Sequence, residues 1–142
     1  MQDPINGLRD ITGVELAQLK READFHREAH LKEVYTKLAV KGKDKVGDKE
    51  VYVVEATPAE SSAETWYFDS QSGLMLRQDA EREGPQGKQS VQVFLDNYKE
   101  VDGVKLPFSI HQITPAFTLD IKIEEVKHNV PVDDAKFVKP AA

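Results

Sequence analysis

The dipeptide Asp102-Gly103, set between Val101 and Val104, constrains this chain more than any other stretch. Asp-Gly between branched apolar residues favours a two-residue turn whose twist matches that of the antiparallel strands on either side. Counting outward places Glu100 opposite Lys105, an opposite-charge pair that supports this register. The same register gathers Val91, Val93, Leu95, Leu106, Phe108 and Ile110 on one face. A slip of one residue would turn that apolar set to the other side, so turn chemistry and alternation specify the same hairpin.

Two more stretches carry the same kind of signal. Gly47-Asp48 offers a second tight turn, with Val46 facing Lys49 and Lys45 facing Glu50. The segment TWYFDSQSGLMLRQD, Thr65 to Asp79, reads as two arms joined by a polar turn. In it Asp69 can hydrogen-bond its own turn, and Gly73 supplies a positive φ at little cost. Its register stays open: a four-residue loop pairs Tyr67 with Leu76, and a one-residue slip pairs Phe68 or Trp66 there. Expected strands cover Glu33–Lys43, Lys49–Ala56, Thr65–Phe68, Leu74–Glu83, Ser90–Tyr98, Val104–Ile113 and Phe117–His128. The last alternates most cleanly: Phe117, Leu119, Ile121 and Ile123 on one face, Thr118, Asp120, Lys122 and Glu124 on the other. Pro107 within a strand implies an edge or a bulge. The stretches Ala59–Ala63 and Gly84–Lys88 read as looser loops, and Thr114-Pro115-Ala116 as the last turn.

Before the strands the period is helical. After a leader over residues 1–12, Thr12 and Glu15 form a capping box, with Ile11 and Leu16 as its hydrophobic staple. Good helix formers carry the helix over about 13–29, with Leu16, Leu19, Ala23, His26 and His30 sharing a face; Phe25 lies on the opposite side, so the helix is either covered twice or ends near Asp24. The tail, 129–142, suggests one helical turn capped by Asp133, with Phe137 pinned to the core. The expected fold is α+β and mostly β: a single domain over 1–142, its sheet spanning about 33–128. The sheet is an antiparallel meander of about seven strands, which twists and curls as strands accumulate, with the helix across its concave face.

Composition narrows the function. At 142 residues the chain can bury a core, and a net charge of -6 argues against wrapping nucleic acid, which needs phosphate-neutralising Lys and Arg. No stretch approaches the roughly 20 apolar residues of a membrane span. The opening MQDPINGLRD lacks the pattern of a signal peptide, and zero cysteines exclude disulfides, thiol catalysis and lipoprotein acylation within this sequence.

Catalytic signals give way to structural explanations. His26 and His30 stand four apart, but Glu28 is wrongly placed for the zincin spacing, and two ligands alone do not make a specific metal site. His111 and His128 read as strand-face residues. Asp69, Asp102 and Asp133 sit where turns and caps demand Asp. Neither a nucleophile elbow nor a phosphate-binding glycine loop is present. The expectation is no enzyme, no cofactor and no metal.

Several motifs carry a family likeness: Trp66-Tyr67-Phe68-Asp69, Ser72-Gly73-Leu74 with Arg77, Tyr98 with Val101 to Val104, Leu106-Pro107-Phe108, and Asn129 to Phe137. Over the last two thirds of the chain they resemble the C-terminal part of bacterial proteins related to outer-membrane lipoprotein-sorting factors. The resemblance implies a strongly curved antiparallel half-barrel roofed by helices and a periplasmic or otherwise exported location. It also implies a lipid or lipidated protein as partner, and an uncovered apolar face could be closed by a second copy in a homodimer. The acyl-binding candidates are Trp66, Phe68, Leu74, Leu76, Val93, Leu106, Phe108, Leu119 and Ile121; an ordinary core is the first reading of these residues, and a cleft lined by part of the set is the alternative. The alternative function is a protein-interaction or sensor module that uses strand edges or the sheet face, with no lipid ligand.

Overall fold

The computed structural model describes residues 2–3 and 7–138. Seven strands form one antiparallel sheet in sequence order: β3 (Tyr35–Val46), β4 (Lys49–Pro58), β5 (Glu64–Asp69), β6 (Met75–Gly84), β7 (Gly87–Val101), β8 (Val104–Ile113) and β9 (Thr118–Lys122). The sheet is open, with β3 and β9 as its edges. A separate two-residue pair, β1 (Gln2–Asp3) with β2 (Gly7–Leu8), lies in the expected leader, of which residues 1 and 4–6 are outside the described set. The last four residues of the expected tail, 139–142, are outside it too.

The tight turns fall where their chemistry demands. Val101 pairs with Val104 and Glu100 with Lys105, and the same register holds to Gln92 opposite Ile113, with Asn97, at φ 52°, and Phe108 the one step left unpaired. Val46 pairs with Lys49 and Lys45 with Glu50, with Gly47 at φ 61°. In the central hairpin the Asp69 carboxylate accepts from Gln71 N at 3.0 Å and Ser72 Oγ at 2.9 Å. Those donors, the backbone N–H first, hold the Asp69 pKa below its usual value. Pro107 sits where β8 has outrun its outer neighbour, since the last β8–β9 pair is Ser109 with Lys122. Past that point β8 is in effect an edge and the missing N–H costs no ladder bond.

Several expectations need correction. The central hairpin combines two of the expected registers: Thr65 to Tyr67 follow the slip that would set Phe68 against Leu76, with Tyr67 opposite Arg77, whereas Phe68 pairs with Met75 as the four-residue loop requires, so Leu76 is bulged out of the ladder. The Gly84–Lys88 stretch is a tight turn and not a loose loop, with Gly84 opposite Gly87 and Glu83 already paired with Lys88. The last strand stops at Lys122 instead of His128.

The helix is also shorter than its pattern. α1 spans Gly13–Glu22, followed by a 3-10 turn, Arg27–Ala29, and a short helix α2, Leu31–Val34. Asp24 ends the run: its carboxylate accepts from His26 N at 2.9 Å and meets His30 Nε2 at 2.8 Å, a local alternative to the helical ladder. Phe25, on the wrong side of the helical pattern, is left 78% exposed. The capping box does not form. Thr12 has extended N-cap backbone but makes no side-chain bond, and Glu15 turns instead to Arg9 at 2.7 Å. The C-terminal 3-10 turn, Asp134–Phe137, is capped by Asp133 as expected, but Phe137 is 78% exposed and not pinned to the core.

Candidate functional site

Register alone fixes which side chains share a face. Trp66 lies opposite Val54 and Gln78, Val93 opposite Gln78 and Gln112, and Ile110 opposite Leu95 and Ile121. Alternation from these anchors puts Trp66, Phe68, Val93, Leu106, Phe108, Leu119 and Ile121 on one side of the sheet. Leu76, at the bulge, is buried, and Leu74 belongs to the turn before β6. Seven of the nine predicted residues therefore form one apolar surface running from β5 to β9.

The two ends of that surface differ. At the β4–β5 end Tyr35, Ala56 and Trp66 form the buried core, with Leu31, Val34, Val54, Phe68 and Met75 packed around it. The Tyr35 and Trp66 rings meet edge to face at 4.8 Å, and Trp66 meets Phe68 at 6.3 Å. Phe108 is buried further along, with Lys99 Nζ 4.5 Å from its ring centre. At the β9 end the surface is uncovered: Leu119 is 43% and Ile121 39% exposed.

The roof over the covered end is held by polar groups. Gln18, on α1, is only 6% exposed. Its amide donates to Glu81 O at 3.1 Å and accepts from Glu83 N at 3.0 Å. The β5 ladder reaches Asp79 and no further along β6, so Gln18 supplies the peptide-like partner that a neighbouring strand would have given. Arg21 then reaches Glu64 at 3.0 Å, and Glu22 meets Arg82 at 3.1 Å. Glu64 is a buried carboxylate on the apolar face. It accepts from Arg21, from Trp66 Nε1 at 3.0 Å, from Gln78 Nε2 at 2.9 Å and from Tyr35 Oη at 3.4 Å. Burial first, and the Glu64 charge second, push the Tyr35 phenol up to about 12.

Beyond Val91 the face turns polar. A cleft of about 410 Å³ opens between the Pro85-Gln86 turn and the Thr114–Phe117 turn, lined among others by Arg82, Gln89, Val91, Gln112 and Phe117. Gln112 is the cross-strand partner of both Val93 and Leu119, so the cleft adjoins the apolar surface directly. These polar residues were missed by the hydrophobic pattern. The Asp102-Gly103 register could have found Gln112, because it pairs with Val93 on the face already assigned as apolar.

The opposite face carries a row across five strands: Tyr67, Arg77, Phe94, His111 and Asp120 are successive cross-strand partners. Arg77 lies 4.9 Å from the Tyr67 ring centre and 5.3 Å from that of Phe94, and bonds Asp79 through two nitrogens at 2.7 Å each. His111 pairs with Asp120 and His128 with Asp102, both on the surface. His26 and His30 do not share a helical face, because the helix ends before them. Among the described residues no group of His, Cys, Asp or Glu is arranged to hold a metal ion, and no helix is long and apolar enough to cross a membrane.

No family profile and no curated protein matches the chain. Two solved structures are similar in fold. One is a domain ascribed to an outer membrane lipoprotein-sorting protein from Vibrio parahaemolyticus, with a TM-score of 0.57, 13% identity, and 74% of this chain and 46% of that one covered. The other is a DUF1329 family protein from Desulfovibrio piger, with a TM-score of 0.61, 21% identity, and 95% and 60% covered. The chain thus shares its fold with these two proteins, and it spans about half to three fifths of their length.

Proposed function

We propose that this chain is a non-enzymatic, exported domain that sequesters an acyl chain, free or attached to a partner protein, on the apolar face of its sheet. One observation carries the reading: a continuous apolar surface runs out from the roofed core to Leu119 and Ile121 at an uncovered edge. Each methylene removed from water contributes about 0.8 kcal/mol, so a chain laid along this surface needs no charged anchor to bind. The fold shared with a lipoprotein-sorting domain supports the same reading. The direct test is native mass spectrometry of protein extracted without detergent, followed by titration with a fluorescent fatty-acid probe. Co-purified lipid and saturable binding are the expected results; a lipid-free protein that ignores the probe would sink the proposal.

A second reading rests on the free edge of β9, where every residue from Thr118 to Lys122 is exposed. An open edge with an apolar face is a template for strand addition by a peptide or a second copy. Sedimentation at rising protein concentration tests it, and a monomer throughout would leave self-association without support.

A further inference from the structure

We propose that the cleft at the polar end of the apolar face is a head-group site, built to take the anionic oxygens of an amphiphile through Arg82, Gln89 and Gln112. The inference rests on the acyl-binding reading and adds the chemistry of the ligand's other end. Arg82 stands on the same side of the sheet as Val91 and Val93, two residues on from Ala80 and opposite Gln89. Its Nε is shielded from solvent and has no hydrogen-bond partner among the described residues. An unpaired buried donor costs on the order of 1–3 kcal/mol, so such a group calls for a partner. Among the described residues Arg82 makes one ion pair, through Nη2 to Glu22 at 3.1 Å, and its remaining side-chain donors have no partner.

Two more donors converge on the same space. Gln89 and Gln112 both line the cleft, and neither side chain has a hydrogen-bond partner among the described residues. Val91 and Phe117 supply its apolar floor. A guanidinium edge and two free carboxamides over an apolar floor form the sparse polar set by which a largely apolar pocket orients its ligand. The fork matches the paired oxygens of a carboxylate or a phosphate monoester, which a neutral head group does not offer. Glu22 and Glu83 are the nearby acids. Glu22 pairs with Nη2 and Glu83 also lines the cleft, but neither carboxylate bonds Nε, which has no partner among the described residues. From this cleft the cross-strand steps Gln112 to Val93 and Gln112 to Leu119 lead the attached chain onto the apolar surface.

The test compares ligands that share a chain and differ in head group. Displacement of a bound apolar probe at pH 7.5 is measured with tetradecanoate, tetradecyl phosphate and tetradecanol. The natural chain is expected to prefer at least one of the two anions over the alcohol by about tenfold or more. The preferred anion identifies the head group. Arg82→Gln is expected to abolish the preference, bringing that anion to the level of the alcohol measured on the same variant. Glu22→Gln, which loosens the ion pair but keeps Arg82, is expected to retain the preference. Equal affinity of the anions and the alcohol in the natural chain would overturn the head-group site and leave acyl binding standing. No displacement by any of the three would overturn both. Circular dichroism checks that each variant folds; if Arg82→Gln does not, Gln112→Leu replaces it, with a smaller loss of anion preference as the expected result.

Discussion

At the scale of single residues, the group that most shapes the covered core is Glu64, a charge where the strand pattern alone gives no reason for one. Its carboxylate and the Arg21 guanidinium are both almost fully buried, and Trp66 and Gln78 spend their donors on it as well. Removing one partner of such a pair leaves an uncompensated buried charge. Glu64→Ala is therefore expected to lower stability by about 3–5 kcal/mol in urea titrations, whereas an exposed pair such as Lys127 with Glu125 contributes about 0–1 kcal/mol. Tyr35 gives the same site a pH signature. Its folded pKa is raised from 10.0 to about 12, by burial and then by Glu64. Below pH 10 both states keep the phenolic proton. Between pH 10 and 12 the unfolded chain loses it first, so stability falls as pH rises through that window. Tyr98, also pushed up to about 12 by burial, adds to the loss with the same sign. Tyr35→Phe should flatten its share of the slope in urea titrations run across that range; an unchanged slope would contradict the assignment. None of this was legible in the sequence, because a Glu one position before Thr-Trp-Tyr-Phe looks like the polar end of a strand. Its four partners come from α1, β3, β5 and β6, and only the folded chain brings them together.

At the scale of elements, what could be read in advance was what is local. The Asp102-Gly103 and Gly47-Asp48 turns set their registers without help from the rest of the chain, and all seven strands follow in the expected order. The failures are equally physical. HREAH continues a helical spacing past Glu22, but Phe25 on the opposite side allows an end near Asp24, and that end is the one taken, because Asp24 offers its carboxylate to the His26 backbone and stops the ladder. The Leu76 bulge escaped because alternation assumes an unbroken ladder. Gln18 was invisible as a contact, since an amide on a helix carries no pattern, yet it is the residue that fastens α1 to the unpaired edge of β6. Gln18→Leu keeps the size but leaves Glu81 O and Glu83 N without their partner, at a cost of about 1–3 kcal/mol. Hydrogen exchange should show the Glu83 amide opening faster in this variant, while amides of the β7–β8 ladder keep their protection. Equal protection at Glu83 would mean that Gln18 is not what holds the helix.

On the scale of the whole molecule, one apolar face of the sheet has a roofed half and an open half. Of the candidate site, the side of the sheet was legible for seven of nine residues, because alternation carries that information. What alternation could not say is which of them are roofed, since that depends on where α1 and Tyr35 land. The structure separates them: Trp66 is enclosed, whereas Leu119 and Ile121 lie on the last strand with more than a third of their surface in water. Stability and binding should therefore respond to different residues. Trp66→Ala is expected to cost about 3–5 kcal/mol, as large aromatic truncations in a packed core do. The double change Leu119→Ser with Ile121→Ser removes side chains that bury less, and is expected to cost under about 2 kcal/mol. On the acyl-binding reading the same double change weakens a fatty-acid probe severalfold or more, because the bound chain loses the surface on which its far methylenes lie. Urea titration and probe titration on the two variants decide the matter. Loss of binding with retained stability in the β9 variant places the ligand on the open half of the face. Undiminished binding there would confine any ligand to the roofed half, and the exposed strand would be left to pair with another chain.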